Sequence, residues 1–180
     1  MPHVFEPAST GRAKCRGCGQ SIAKGEIRFG ERLPNPFAEG EVTHWFHPLC
    51  AAYKRPEPIV QALAEAQDDV PERQALEAAA RRSLAQHRLP RIDGAERAPT
   101  GQARCRSCKE TIEKGSWRIR LVFHEEGNFA AGGFIHLGCR EPYFGTRDIL
   151  EQVLHFSRAL AADAREALEQ AFEQSSRGES

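Results

Sequence analysis

All six cysteines of this 180-residue chain fall into two copies of one spaced pattern, Cys-x2-Cys followed after a long gap by His-x2-Cys. The first copy is Cys15, Cys18, His47 and Cys50, and the second is Cys105, Cys108, His136 and Cys139. Three thiolates and one imidazole form a complete tetrahedral donor set for structural zinc. No cysteine is left over in either copy. The pattern therefore predicts two structural zinc ions per chain.

A longer repeat decides which histidine completes the first donor set. Residues 11–18 match residues 101–108 at an offset of 90. His44 and His47 both precede the last cysteine of the first copy, but only His47 has a counterpart in the second. The repeat therefore selects His47 as the ligand, and His44 is expected to be a packing or surface histidine.

The cysteine usage also bears on where the chain works. The first residues lack a basic region followed by an apolar run, so we expect no signal peptide. No stretch approaches the length of an apolar membrane span, so we expect no membrane partner. We expect a reducing intracellular location: cytoplasm or nucleoid in a bacterium, the nucleus in a eukaryote. Paired cysteines there bind metal more often than they form disulfides. Two disulfides with stray thiols are the alternative, which the repeated spacing disfavours.

The hydrophobic pattern predicts a fold of the α+β class. Alternating apolar residues before each ligand histidine favour short antiparallel strands, and helical stripes follow each last cysteine. We expect two tandem small zinc-finger modules, with short antiparallel strands and a helix at the His-x2-Cys ligands, each followed by a helical hairpin. The predicted division is a finger over 1–55, a hairpin over 56–89, a linker over 90–98, a second finger over 99–144 and a second hairpin over 145–176.

Charge is distributed unevenly along a chain whose net charge is zero. The predicted fingers carry net charges of +3 (residues 1–55) and +2 (residues 99–144), whereas residues 56–98 and 145–180 carry −2 and −3. A polyanionic partner is therefore expected to meet the fingers rather than the helices.

Three segments of the first copy resemble zinc fingers of the poly(ADP-ribose) polymerase type, which also occur at the head of a eukaryotic DNA ligase. They are residues 10–18 (TGRAKCRGC), 22–28 (IAKGEIR) and 44–50 (HWFHPLC). The resemblance covers roughly residues 5–55 and 97–145. Fingers of that family recognise DNA nicks, ends and gaps, largely without sequence preference. The resemblance thus implies DNA as the partner and DNA repair as the setting.

The same resemblance implies which side chains meet DNA. Basic residues near each Cys pair would hold backbone phosphate, and an apolar loop residue would stack on an exposed base. The implied contacts are Arg12, Lys14, Arg16, Arg28 and Phe37 in the first finger, and Arg104, Arg106, Arg118 and Phe129 in the second. Gln102 stands where the first finger has Arg12, which weakens the expectation for the second finger. For both phenylalanines, anchoring of the loop is an equal alternative.

The sequence carries no sign of catalysis. It has neither a Gly-rich phosphate loop nor a nucleophile motif, so we expect binding without an enzymatic reaction. One alternative from a different class is a protein–protein interaction module, in which zinc only holds the fold while the helices bind a partner or self-associate. RNA binding is a further alternative that the sequence does not separate from DNA binding.

Overall fold

The computed structural model describes residues 2–177, with side chains up to residue 175. Its contacts divide the chain into two compact units. The first comprises the chain up to Ala85 together with residues 124–129, and the second comprises residues 86–123 and the chain from Ala130 onward. Each unit contains strands of a three-stranded sheet, helices and one Cys3His group, so the predicted α+β class is confirmed.

The sheet of the first unit has the order β1-β2-β3 and is antiparallel. Its strands are β1 (Val4–Pro7), β2 (Ile27–Pro34) and β3 (Glu41–Phe46). Phe5 lies opposite Phe29, which in turn lies opposite Phe46, and both Phe29 and Phe46 are fully buried. Gly30 leaves room for the Trp45 ring on the neighbouring strand, because a Cβ there would stand 2.7 Å from that ring.

Three helices follow the first sheet: α1 (Pro48–Lys54), α2 (Pro56–Glu65) and α3 (Arg73–Leu84). Pro48 and Pro56 stand at the first turns of α1 and α2, where a missing N–H costs no helix hydrogen bond. α2 and α3 pack against each other, and both pack against α1. The last two ligands of the first copy are therefore held at the start of a helix whose far side is covered by protein.

The second sheet has the strands β4 (Arg91–Arg97), β5 (Trp117–Glu125) and β6 (Asn128–His136) in the order β4-β5-β6. Its strands lie in the second unit except for residues 124–129, where β5 joins β6, which belong to the first. A 3-10 turn (Leu137–Cys139) follows, and then α4 (Arg140–Phe144), α5 (Leu150–His155) and α6 (Ala162–Arg177). In the second unit, the stretch between the ligands His136 and Cys139 is only this 3-10 turn, whereas in the first unit Pro48 begins α1 between the two ligands. Gly138 disfavours a regular helix at this turn. The core includes Ile119, Ile135, Phe144 and Leu168, all fully buried.

The segment predicted as a linker, 90–98, is a strand instead. β4 pairs antiparallel with β5, and Ile92 is fully buried. The segment reads as a loop because it is mostly polar and contains a glycine. It is a strand because it pairs with β5, just as β1 pairs with β2. The cross-strand pairs Glu6–Arg28 and Glu96–Arg118 correspond at the repeat offset of 90. The repeat therefore extends upstream of the segments compared in the sequence.

Gly94 produces an irregularity in β4 that brings the strand against the helices. The register shifts between Ile92 and Ala95, and Gly94 has φ = +90°. A Cβ at this position would stand 2.5 Å from the backbone oxygen of Phe156. The Ala95 N–H then donates to Ser157 Oγ at 2.9 Å. Both the backbone conformation and the close approach require glycine.

Replacing Gly94 with alanine is expected to destabilise the second unit by roughly 2–4 kcal/mol, because strain at positive φ adds to a contact with rigid backbone. Gly115→Ala is the matched control. Gly115 also has positive φ, but nothing lies within 4 Å of its added Cβ, so about 1 kcal/mol is expected. Urea unfolding in a Trp45→Phe background, where Trp117 is the remaining tryptophan, measures both. Equal losses for the two variants would contradict a role for the close approach.

Among the described residues, no helix combines the length and apolar character that crossing a membrane requires.

Candidate metal centres and the surface beside them

The first metal centre gathers its four ligands from two places in the first unit. Cys15 and Cys18 lie on a turn before β2, and His47 and Cys50 lie at the start of α1. The donor atoms of all four lie within 4.8 Å of one another. Cys15 and Cys50 are buried, and the other two ligands are half-buried. A Cβ on Gly17 would stand 2.8 Å from that of Cys50, so this turn has room only for glycine.

The distances to the imidazole fit a tetrahedral ion. His47 Nδ1 lies 3.4 Å from Cys18 Sγ and 4.0 Å from Cys50 Sγ. Zinc–sulfur and zinc–nitrogen bonds of about 2.3 and 2.0 Å in tetrahedral geometry separate the two donors by about 3.5 Å. The His47 backbone N–H donates to Cys15 Sγ at 3.2 Å, which supports a thiolate there. Nδ1 is therefore the ligating nitrogen.

His44 stays outside the donor set, as the repeat predicts. It is 6% exposed and sits against Gly127, where an added Cβ would meet His44 Cε1. The prediction that His47 and not His44 completes the cluster agrees with the grouping of donor atoms.

The second centre repeats the geometry in the second unit. Its four ligands, Cys105, Cys108, His136 and Cys139, form the other group of donor atoms within 4.8 Å. His136 Nδ1 lies 3.4 Å from Cys108 Sγ and 3.8 Å from Cys139 Sγ. Cys108 is exposed, unlike Cys18, its half-buried counterpart. The second centre is therefore more open to solvent.

Each ligand histidine has its second nitrogen near a different oxygen. His136 Nε2 lies 3.3 Å from the carbonyl oxygen of Thr111, so Nε2 carries the proton and Nδ1 is left to bind the metal. His47 Nε2 lies 3.8 Å from Glu26 Oε1. Sequence reasoning missed Thr111 and Glu26, although both lie close to or within the segments that repeat at an offset of 90.

The electrostatics of both clusters call for a cation. Hydrogen bonds with Cys15 and Cys18, together with burial, raise the pKa of Cys50 far above its ordinary value. Burial and the charge of Cys105 raise the pKa of Cys139 to about 12. The protein alone therefore does not stabilise three adjacent thiolates, whereas a divalent ion bound by all three does. Two structural zinc ions, one in each centre, match these donor sets.

The basic residues next to the first centre differ in exposure. Arg12, Lys14 and Arg16 are exposed, and Arg16 Nη1 donates to Asn128 Oδ1 at 3.0 Å. Arg28, predicted as a phosphate contact, is only 7% exposed.

Arg28 is held from two sides. Its Nη2 donates to Glu6 Oε1 at 2.7 Å, and its guanidinium carbon lies 3.5 Å from the centroid of the Trp45 ring. Arg118 has the same surroundings in the second unit: Nη2 donates to Glu96 Oε1 at 2.8 Å, and its guanidinium lies 3.5 Å from the Phe134 ring. In this structure the two arginines link sheet strands and present little charge to solvent.

Phe37 stands out on the surface of the first unit with 96% of its side chain exposed. Its backbone N–H donates to Asn35 Oδ1 at 3.0 Å, and the Asn35 N–H donates to the Gly40 carbonyl at 3.0 Å. Pro34 and Pro36 restrict the same loop. The ring is thus presented to solvent from a loop of limited freedom.

The residues predicted for the second finger are placed differently. Arg104 and Arg106 are both exposed, and Arg106 Nη1 also donates to the Gly132 carbonyl at 2.8 Å, with its guanidinium 5.2 Å from the Phe123 ring. Phe129, predicted to stack on a base, instead packs within the first unit, 6.3 Å from Phe46 between ring centroids. Its ring is held there by apolar contact, so loop anchoring describes Phe129 and base stacking does not.

Comparison with known proteins shows which proteins this chain resembles. The family model described as "Poly(ADP-ribose) polymerase and DNA-Ligase Zn-finger region" matches residues 6–87. The chain is 31% identical over 141 residues to Poly [ADP-ribose] polymerase 1 of Gallus gallus, an alignment covering 69% of this chain and 14% of that protein. It is 27% identical over 157 residues to Poly [ADP-ribose] polymerase of Drosophila melanogaster, covering 77% of this chain and 16% of that protein. The chain thus spans less than a fifth of the length of these relatives.

Proposed function

This chain carries two zinc fingers of the poly(ADP-ribose) polymerase type, and from that premise we propose that it binds DNA at strand breaks or ends without sequence specificity. One observation supports this most strongly. In the first unit, Phe37, which is 96% exposed on a restricted loop, lines the same cavity as the exposed Arg16. An exposed aromatic ring is suited to the unstacked base face that distinguishes a break from intact duplex.

Phosphate contacts complete the proposed interface. Arg12, Lys14 and Arg16 are exposed on the segment around the first Cys pair, and cations of this kind hold backbone phosphate without reading sequence. Arg28 would contribute indirectly, since its ion pair with Glu6 and its contact with Trp45 hold β1, β2 and β3 together beside this segment.

We infer that the first unit makes the main contact. Arg12, Lys14 and Arg16, the exposed cations around the first Cys pair, all lie in this unit. Gln102 in place of Arg12 removes one of these cations from the second finger.

We also propose that these 180 residues act by binding alone. Their similarity to much longer polymerases covers the finger region and not the catalytic domain of those proteins. Both metal centres have four protein ligands, which leaves no coordination position for a substrate. A role in the response to DNA damage is the setting this proposal favours.

Salt dependence tests the phosphate contacts. For a nicked duplex, log K against log salt concentration is expected to lose about 0.9 of slope for each contact removed in Arg12→Ala and Lys14→Ala. Arg158→Ala removes an exposed arginine from the helical part of the second unit and is the matched control, with no change expected. Fluorescence anisotropy over a salt series measures the slopes. Unchanged slopes for both finger variants would contradict phosphate binding at this segment.

A further inference from the structure

A groove of about 310 Å³ runs along β1 in the first unit. Six consecutive residues, 2–7, line one side, and the end of α2 with the turn before α3 lines the other. Side chains of a strand alternate between the two faces of a sheet, so a groove that touches every residue of β1 follows the edge of the strand. β1 is an edge strand in the order β1-β2-β3. The groove therefore lies beside an open sheet edge.

The backbone of Phe5 faces this open edge. The Ala8 N–H donates to the Glu26 carbonyl at 2.8 Å, in register with the pairs between β1 and β2. Hydrogen-bonded pairs alternate along an antiparallel ladder, so Val4 and Glu6 bond to β2, whereas the N–H and C=O of Phe5 point away from it. Among the described residues, neither group has a hydrogen-bond partner. An extended chain lying in the groove would supply both partners.

The groove has an apolar floor and an acidic rim. Ala62 and Val70 are buried at its floor, and the half-buried Phe5 also lines it. Its lining residues include no lysine or arginine. The four carboxylates among them comprise one on β1 and three exposed ones on the helical side: Glu6, Glu65, Asp68 and Asp69. The rim therefore carries charge of one sign.

Little of that negative charge is neutralised within the chain. Arg28 pairs with Glu6, but among the described residues neither Asp68 nor Asp69 forms an ion pair. His3, which also lines the groove, accepts a hydrogen bond at Nδ1 from the Arg32 N–H at 3.1 Å, so its ring is neutral. The groove is therefore complementary to a cationic ligand.

We propose that this groove docks a short basic segment of a partner protein, which adds to the outer edge of β1 as a further strand. The segment's backbone would bond to Phe5, an apolar side chain would cover the floor, and lysine or arginine would meet the rim. Pro7 ends β1 and has no N–H, so the added strand is short.

The charge of the groove selects against other occupants. A second copy of this chain would bring four more carboxylates against the same rim, which disfavours pairing between two β1 edges. DNA phosphate is repelled for the same reason. This docking surface therefore adds a protein partner to the proposed DNA binding and does not depend on it.

The test uses a short fluorescent peptide of alternating lysine and valine with blocked ends, and measures anisotropy at low ionic strength. The double variant Asp68→Asn with Asp69→Asn is expected to bind it roughly fivefold more weakly than wild type, the size of two exposed charge pairs. Glu166→Gln with Glu169→Gln removes two exposed carboxylates from α6 of the second unit. This matched control should bind the peptide as wild type does.

A matched peptide separates strand addition from attraction between charges. N-methylation of the backbone amides keeps the lysines and removes the backbone donors, and we expect it to weaken binding at least about fivefold. On addition of the unmethylated peptide, the Phe5 amide resonance should move downfield and its hydrogen exchange should slow, because the free N–H gains a partner. The amide of Val153, in α5, should change in neither respect.

Three results would overturn this inference: no binding of the lysine peptide at low ionic strength, equal binding to wild type and the Asp68/Asp69 variant, or equal binding of the methylated and unmethylated peptides. Dimerisation of the free chain that the same variant strengthens would show that a second copy occupies the groove, which also contradicts it. Each of these results leaves the proposed binding of DNA breaks intact.

Discussion

Replacing Cys50 with alanine is expected to unfold the first unit. Structural zinc in small fingers contributes about 10–16 kcal/mol of binding free energy, which is comparable to the whole stability of a domain. Cys50 is fully buried in α1, and α1 packs against α2 and α3. Loss of the fourth ligand therefore removes the ion that joins the Cys15–Cys18 turn to the helices.

Native mass spectrometry and circular dichroism measure this effect. Wild type is expected to carry two zinc ions, and Cys50→Ala one, with loss of the helical signal of the first unit. His44→Asn is the matched control, because it changes the neighbouring histidine that does not contact the metal, and it should retain both ions. Two zinc ions in Cys50→Ala would contradict the assignment of this ligand. An unchanged cooperative melt after complete zinc removal by a chelator would contradict the structural role of the metal.

Replacing Glu31 with leucine is expected to destabilise the first unit by about 2–4 kcal/mol. Glu31 is 1% exposed on β2 and accepts hydrogen bonds from Arg55, at 2.9 Å from Nε and 2.5 Å from Nη2. Arg55 joins α1 to α2. Removing one partner of a buried ion pair leaves the other without its counter-charge, and the partial exposure of Arg55 reduces the loss.

Urea unfolding in a Trp117→Phe background, where Trp45 reports on the first unit, measures this loss. Glu39→Leu, at an exposed glutamate of the same finger, is expected to change stability by less than about 0.5 kcal/mol. The double variant Glu31→Leu with Arg55→Leu should recover much of the stability, because a well-packed apolar pair replaces the ion pair without leaving a buried charge. A single variant as stable as wild type would show that the pair contributes nothing.

The metal centres could be predicted from sequence because their chemistry is local and repeated. Each Cys-x2-Cys turn and each His-x2-Cys turn brings two donors together by itself, and the repeat identifies His47 among the nearby histidines. The α+β class followed from hydrophobic periodicity for the same reason. Short-range patterns are sufficient where short-range geometry decides the structure.

The features that sequence reasoning missed depend on distant partners. β4 reads as a linker, and only its pairing with β5 makes it a strand. Arg28 and Arg118 read as surface cations, whereas Glu6 and Glu96 lie across the sheet from them and take part of their charge. Aligning the two copies further upstream would have brought out both glutamates, since they share the offset of 90.

Phe37 and Phe129 show the same limit. Both are phenylalanines in the hairpin region of a finger, and sequence gives each an equal chance of stacking or anchoring. Phe37 is almost wholly exposed, whereas Phe129 packs near Phe46 and Lys54 in the first unit. The difference arises from what the rest of the chain places around each ring, which no local pattern contains.

The most direct test of break recognition compares a covalently closed circular duplex before and after a single nick. A relaxed closed circle and its nicked form have the same sequence and length, and the terminal phosphate at the nick adds at most about one negative charge, so a large difference in affinity reports the break itself. At about 100 mM salt, where phosphate-driven binding persists, the zinc-loaded chain is expected to bind the nicked circle at least about tenfold more tightly, the size of one stacking contact. Equal affinity for the closed and nicked circles, or binding to neither, would contradict the account.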